Sequence, residues 1–195
     1  MSRAAPRVAA PPRIARARPA LARAQAPWIV AIEPWRGLGY RAAPLGRWLA
    51  RGARDQEVWV ARASATAKSG SAGVQGILVL ESPFLLGGFI ALLAVRPQAA
   101  GRGIGRELVE QARQRIFVAG GRRWLYVSAD GANRGALAFY RKLGFAGVGR
   151  LPDLIRAGST EILLRLGRDQ GSPTATAAPA SRTSRGDAGL HRRRA

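Results

Sequence analysis

ALLAVRPQAAGRGIGREL, running from Ala91 to Leu108, is the stretch that decides how this chain is read. An apolar run from Phe89 to Val95 stops at Arg96 and Pro97, and Gly101, Gly103 and Gly105 follow. Leu108, Val109, Ala112, Ile116 and Phe117 then recur at roughly helical spacing. The order predicted is buried strand, glycine turn, helix N-terminus. A helix start has unpaired N–H groups and the positive end of the macrodipole. Glycines let the backbone approach a phosphate and adopt positive φ. With Arg102 and Arg106 alongside, the stretch predicts an anion site.

Two phosphate-loop patterns do not fit. The dinucleotide fingerprint G-x-G-x-x-G belongs after the first strand of a βαβ unit, and here the spacing differs and the strand is mid-chain. The nucleotide loop G-x-x-x-x-G-K-S/T needs a Lys and a hydroxyl after its last glycine, and Gly105 is followed by neither. The stretch instead resembles motif A of the GNAT N-acetyltransferase superfamily, Q/R-x-x-G-x-G/A, with Ala100, Gly103 and Gly105 at its fixed positions. Ala100 departs from the usual Gln or Arg, which removes one side-chain contact and leaves the backbone cradle. A second match is NRGALAFYRKLGF, Asn133 to Phe145, which resembles motif B, N-x-x-A-x-x-F/L-Y-x-x-x-G-F. The resemblance spans about residues 27–167.

The fold this implies is α+β in three layers. A mixed, mostly antiparallel central sheet of six to seven strands would be flanked by about four helices. The apolar run 28–32 is expected as the first strand, and a helix is expected over 43–54. Strands over 57–63 and 75–81 would form a hairpin about the small polar segment 64–73. The strand 89–95 opens motif A. After its helix come a strand at 123–129 and a helix at 134–143, capped by Asn133 or Asp130. Strands at 145–150 and 160–166 end the fold, and 151–159 is an excursion long enough to cover a site.

Composition bounds the function. The chain has 195 residues and a formal net charge of +21, which suggests one domain with tails. It has no cysteine, and its one histidine, His191, is near the C-terminus. Disulfides, thiolate metal sites and histidine-based metal centres or triads are thus disfavoured, and no metal is expected. No segment reaches the roughly 20 apolar residues of a membrane span. Residues 1–26 carry six arginines and no acid, with prolines at 6, 11, 12 and 19. They are expected to be a disordered tail, with an organelle transit segment, a basic nucleic-acid arm or an upstream start codon as alternatives. The domain is set at 27–167, and 168–195 is expected as a second disordered basic tail. A cytoplasmic monomer or homodimer is expected.

The motifs imply the chemistry. In the family, the motif A loop holds the pyrophosphate of acetyl-coenzyme A, here through Arg102, Gly103, Ile104, Gly105 and Arg106. The backbone of Leu93, Ala94 and Val95 would pair with the pantetheine like an added strand, with the Val95 N–H facing the acetyl oxygen. The strand at 89–95 and the one at 123–129 would splay apart to form the slot. Asn133, Ala136 and Tyr140, at i, i+3 and i+7, share one helix face, so a thin arm could cross Ala136 with its thioester near Tyr140. The resemblance makes Tyr140 the acid that protonates the departing thiolate. No acid lies within 89–95, so the general base is open. Glu81 is the first candidate, with Glu33, Glu161, a water chain or a backbone carbonyl as others.

The expected function is N-acetyl transfer from acetyl-coenzyme A to a primary amine of a small molecule or protein, by direct attack in a ternary complex. A non-catalytic coenzyme A-binding module and a basic nucleic-acid-associated protein are the alternatives. Nucleic acid is disfavoured as a partner, because no basic-aromatic stripe or reader motif is present.

Overall fold

The computed structural model describes residues 12–63 and 73–168. The expected tail segments at 1–11 and 169–195, and most of the hairpin turn, lie outside the described residues. The strands are β1 (Arg13–Arg16), β2 (Gln56–Arg62), β3 (Val74–Phe84), β4 (Gly87–Val95), β5 (Trp124–Asp130), β6 (Ala146–Pro152) and β7 (Thr160–Gly167). The helices are α1 (Pro19–Arg23), α2 (Ala26–Val30), α3 (Ala42–Leu49), α4 (Ile104–Arg113) and α5 (Arg134–Lys142). One sheet runs β1-β2-β3-β4-β5-β7-β6. Among the described residues only the β4–β5 pairing is parallel. The mixed, mostly antiparallel three-layer fold is the one expected.

Each face of the sheet has its own core. On one face α4 and α5 pack Ile104, Leu108, Leu137 and Tyr140 against Leu78, Ile90, Leu125, Val127 and Leu164. On the other, α1, α2 and α3 pack Ala22, Ala26, Ile29, Leu45 and Leu49 against Ile77, Val79, Leu92 and Ala94. The alternation of β3 makes this division: Ile77 and Val79 face one way, Leu78 and Leu80 the other.

The N-terminal boundary differs from the expectation. The fold begins before residue 27, because β1 pairs with β2 from Arg13↔Arg62 to Arg16↔Trp59. An edge strand tolerates arginines on its open side, and Ile14 alone reaches the core. The alanines after it make a close helix–helix contact. A Cβ added at Gly46 of α3 would sit 3.2 Å from Arg23 Cγ and 3.5 Å from Ala26 Cβ. Small residues there let α1 and α2 lie directly on α3.

The expected strand at 28–32 is instead the end of α2, through Val30, and the turn that follows it. Pro27 occupies the first turn, where its missing N–H costs nothing. Ile29 turns into the core, and Trp28 Nε1 donates to Gln25 Oε1 at 3.0 Å. A five-residue apolar run has no period that separates strand from helix.

Candidate active site

Beyond Ile90, β4 and β5 part. Their pairing runs only from Gly87↔Trp124 to Ile90↔Val127. At the same point β4 carries a bulge. Leu80 pairs with Ile90 and Val79 with Leu92, which leaves Ala91 as the extra residue. A bulge bends its strand and resets which side each residue faces. Ile90 and Leu93 belong to the α4/α5 core, whereas Ala91 and Leu92 face α1–α3. The Arg96 N–H donates to Gln75 O at 2.8 Å on the β3 side. By alternation the N–H groups of Val95 and Leu93 point the other way, into the gap.

A cavity of about 650 Å³ opens at this gap. Its floor is Leu93 and Val95, and Ala136, Phe139 and Tyr140 of α5 line one wall with Leu143, the residue that ends the helix. At its mouth are Ala100, Gly101, Gly103, Gly105 and Arg106, with Lys142 also in the lining. Gly101 and Gly103 hold φ of +75° and +80°, which L-residues rarely adopt. Gly103 is the N-cap of α4, so the unpaired N–H groups of the first turn open at the cavity mouth. Gly105 has a different reason to be glycine. A Cβ there would lie 3.2 Å from Phe139 Cζ, so its smallness lets α4 approach α5.

This arrangement suits a long ligand with a polyanionic end and a thin apolar arm. The anion would meet α4 N–H groups, the macrodipole, Arg106 and Lys142. The arm would lie against Leu93 and Val95, whose unpaired backbone could bond it as a neighbouring strand would.

The sequence-predicted residues separate here. Leu93, Val95, Gly103, Ile104, Gly105, Arg106 and Tyr140 converge on the cavity. Ala94 does not, because it turns into the opposite core. Arg102 is absent from the lining. Asn133 is committed elsewhere: its Oδ1 accepts the Ala136 N–H at 3.0 Å and caps α5. Phe139, packed against the α4/α5 core, also lines the cavity. The bulge at Ala91 had no signal in the sequence.

Tyr140 is 6 % exposed and packs edge-on against Phe139 and Phe145, with ring centroids 5.2 and 5.5 Å away. Burial alone pushes its phenol well above the ordinary value.

The carboxylate candidates also separate. Glu81 lines none of this cavity and is paired with Arg51 at 3.4 Å. Glu33 accepts from Arg36 Nε at 2.9 Å and from the Gly37 N–H at 3.0 Å, which folds its loop on itself. Those bonds, Gly37 first, hold its carboxyl below the usual range. Glu161 is different. It is 7 % exposed and stands opposite Asp130, on the part of β5 that has left β4. Burial raises its carboxyl, the Ser128 hydroxyl donates to it and lowers it, and Asp130 raises it again.

Comparison with known proteins agrees with this fold. The model of the acetyltransferase (GNAT) family matches residues 33–145. No curated protein matches the sequence. Arabidopsis thaliana NAA60, solved in complex with acetyl-CoA, superposes with a TM-score of 0.64 at 17% identity, covering 80% of this chain and 98% of its own. The Escherichia coli ribosomal-protein-S18-alanine N-acetyltransferase gives 0.63 at 14% identity, covering 85% and 99%. A mutant form of spermidine N-acetyltransferase SpeG from Vibrio cholerae gives 0.62 at 13% identity, covering 83% and 96%. At such identities the superpositions speak for the fold. The family match spans both the glycine turn and the helix that carries Tyr140, and by it this chain belongs to the GNAT acetyltransferase family.

Proposed function

We propose that the protein transfers the acetyl group of acetyl-CoA to a primary amine by direct attack in a ternary complex. One observation carries this reading. The gap between β4 and β5 joins a cationic helix N-terminus at one end to a buried tyrosine within the same cavity. When bound, acetyl-CoA supplies an activated thioester carbonyl. The α4 N–H groups, Arg106 and Lys142 would hold its pyrophosphate. Leu93 and Val95 would bond the pantetheine through their gap-facing backbone. The acetyl end must lie deepest, so the Leu93 N–H, two residues further in, is better placed than that of Val95 to stabilise the oxyanion.

As the amine nitrogen bonds the carbonyl carbon, the C–S bond breaks. Tyr140 would give its phenolic proton to the sulfur as charge develops there. Its phenol is protonated at neutral pH, as an ordinary tyrosine is, and burial favours that form further. A thiolate leaving into the same buried site is also destabilised, so the transfer is less uphill than the ordinary values of about 10 and 8.5 suggest. Glu161, rather than the arginine-paired Glu81, is the better proton acceptor for the amine. It acts through a water, because it flanks the gap without lining the cavity. A cytoplasmic location and a homodimer or monomer remain part of the proposal.

The test uses the cavity mouth. Acetyl-CoA should raise the melting temperature by binding the folded state. Gly103→Glu should abolish that shift, because it sets negative charge at the anion site. Gly103→Asn is the control. Asn tolerates positive φ, and a Cβ at Gly103 meets nothing within 4 Å, so most of the shift should remain. An undiminished shift in Gly103→Glu refutes the assignment.

A further inference from the structure

The opposite face of the sheet carries a second cavity, beside the bulge of β4. A cavity of about 550 Å³ lies between α3, the loop before it and the bulged part of β4. Trp35, Tyr40, Leu45, Trp48 and Leu92 form its walls, together with Ala91, the bulge residue at which β4 parts from β5. Among the described residues its lining contains no carboxylate, and its one charge is Arg41. The loop that presents Trp35 is held in shape by the bonds of Glu33 to Arg36 and to the Gly37 N–H. Glu33 thus builds this wall instead of carrying a proton.

We infer that this cavity receives the acceptor, and that the acceptor is an α-amine beside a bulky apolar or aromatic side chain with a carbonyl or carboxylate next to it. The inference rests on the acetyltransferase reading. Three aromatic walls match an apolar side chain, whose burial is the main attraction such a surface offers. Arg41 matches the carboxyl or carbonyl oxygen. A polyamine or aminoglycoside would bring several cations to a lining with no anion and one like charge, which selects against it.

The cavity's chemistry also suits the nucleophile. Apolar surroundings and a nearby guanidinium both disfavour an ammonium, so they push the amine towards its neutral, reactive form. A peptide α-amine, with an ordinary pKa near 8, yields its proton there far more readily than a side-chain amine near 10.4. This lessens the demand on a general base, in keeping with Glu161 standing one strand away. Two sources present such an amine: free hydrophobic amino acids and peptides whose first residue is hydrophobic.

The experiment measures thiol release by the full-length protein with acetyl-CoA. The acceptors are phenylalanine, tryptophan, tripeptides led by Phe, Leu, Ala or Asp, and spermidine. The Phe-, Trp- or Leu-bearing acceptors should exceed the Ala-led peptide in kcat/KM by about 10-fold or more, the discrimination an apolar pocket supplies. Spermidine should be inert. Trp48→Ala should raise KM for the apolar acceptors by a similar factor. Tyr40, being 41 % exposed, offers a second variant, Tyr40→Ala, which should do the same without lowering the melting temperature. Free amino acids as the best acceptors, with a preference lost in Arg41→Ala, would identify them as the source. Equal or better use of the peptides, with a smaller but measurable rise in their KM in Arg41→Ala, would identify peptide N-termini.

Preferred acetylation of spermidine or of the Asp-led peptide overturns the inference. So does an unchanged KM in both aromatic variants. Acetyl-CoA binding by thermal shift, with no transfer to any apolar amine, overturns it too and leaves the acetyl-CoA site standing. Absence of both binding and transfer defeats the acetyltransferase reading on which it rests.

Discussion

At the scale of single residues, Tyr140 and Glu161 are both buried groups whose ionisation burial opposes. Tyr140→Phe keeps the ring that packs on Phe139 and Phe145 and removes only the hydroxyl. The acetyl-transfer step should slow by about 10²-fold or more, the scale of a general acid. The melting temperature and the acetyl-CoA shift should hardly move. Single-turnover measurement is needed, because product release can mask the chemical step. A full-speed turnover would assign thiolate protonation to water.

Glu161 gives a prediction with two readouts of opposite sign. Its folded-state pKa is raised above the unfolded value. Between those values the folded state binds more protons, so stability falls as pH rises through that window. Above the window Glu161 is a cost to the fold. Glu161→Gln should therefore melt no lower than wild type at pH 7–8. Transfer should fall by about 10-fold or more, and the low-pH limb of the kcat/KM profile should flatten. A variant that melts lower and turns over normally would make Glu161 a structural carboxylate.

At the scale of elements, one ion pair ties the sheet to the end of the motif A helix. Past Arg113, α4 runs on as a π-helical turn, Gln114–Ala119. That turn aims Arg115 at Glu57 of β2, with Nε–Oε2 at 2.9 Å and Nη2–Oε1 at 2.5 Å. Trp59 Nε1 donates to the same carboxylate at 3.0 Å. The Arg115 bonds, above all, hold the Glu57 carboxyl below its usual range. A depressed carboxyl contributes stability above its unfolded pKa and loses it as pH falls through the folded one. Glu57→Gln should cost about 1 kcal/mol at pH 7, since the pair is bidentate yet partly solvated. The deficit should shrink in melts below pH 4. A deficit constant with pH would trace the loss to packing rather than to charge.

At the scale of the whole molecule, the N-terminal segment completes one face of the sheet. β1 extends the edge, and Ala22, Gln25 and Ala26 are buried beside α3. That face also carries the aromatic cavity on α3. Deleting residues 1–11 leaves every described element in place and should leave the cooperative melt and the acetyl-CoA shift intact. Deleting residues 1–26 removes β1 and α1 and uncovers Gly46. Its melting temperature should drop by about 10 °C or more, because several buried contacts go together and each kcal/mol is worth roughly 2–4 °C at this size. An unchanged melt in the longer deletion would show that the segment adds nothing to the fold.

The sequence by itself determined the parts whose reason is local. The glycine turn before α4 needs positive φ at Gly101 and Gly103, and that requirement is written in residue type. The cap of α5 is Asn133 three residues before the N–H it accepts, and the spacing of Ala136 and Tyr140 follows from the helical period. From these came the fold class, the family and most of the residues at the cavity mouth. Tertiary structure decided what depends on distant partners. Arg13–Arg16 is a strand because β2 offers it an edge, and the alanines that follow are buried because Gly46 admits them. Trp28–Val30 is helical because Ile29 has a core to enter from that side. The bulge at Ala91 exists only in the pairing of β4 with β3, and it turns Ala94 away from the gap while aiming Leu93 into it. The standing of the carboxylates is likewise a matter of neighbours. Glu81 met an arginine, Glu33 closed its own loop, and Glu161 was buried opposite the open end of β5, a difference set by three-dimensional surroundings that residue type does not encode.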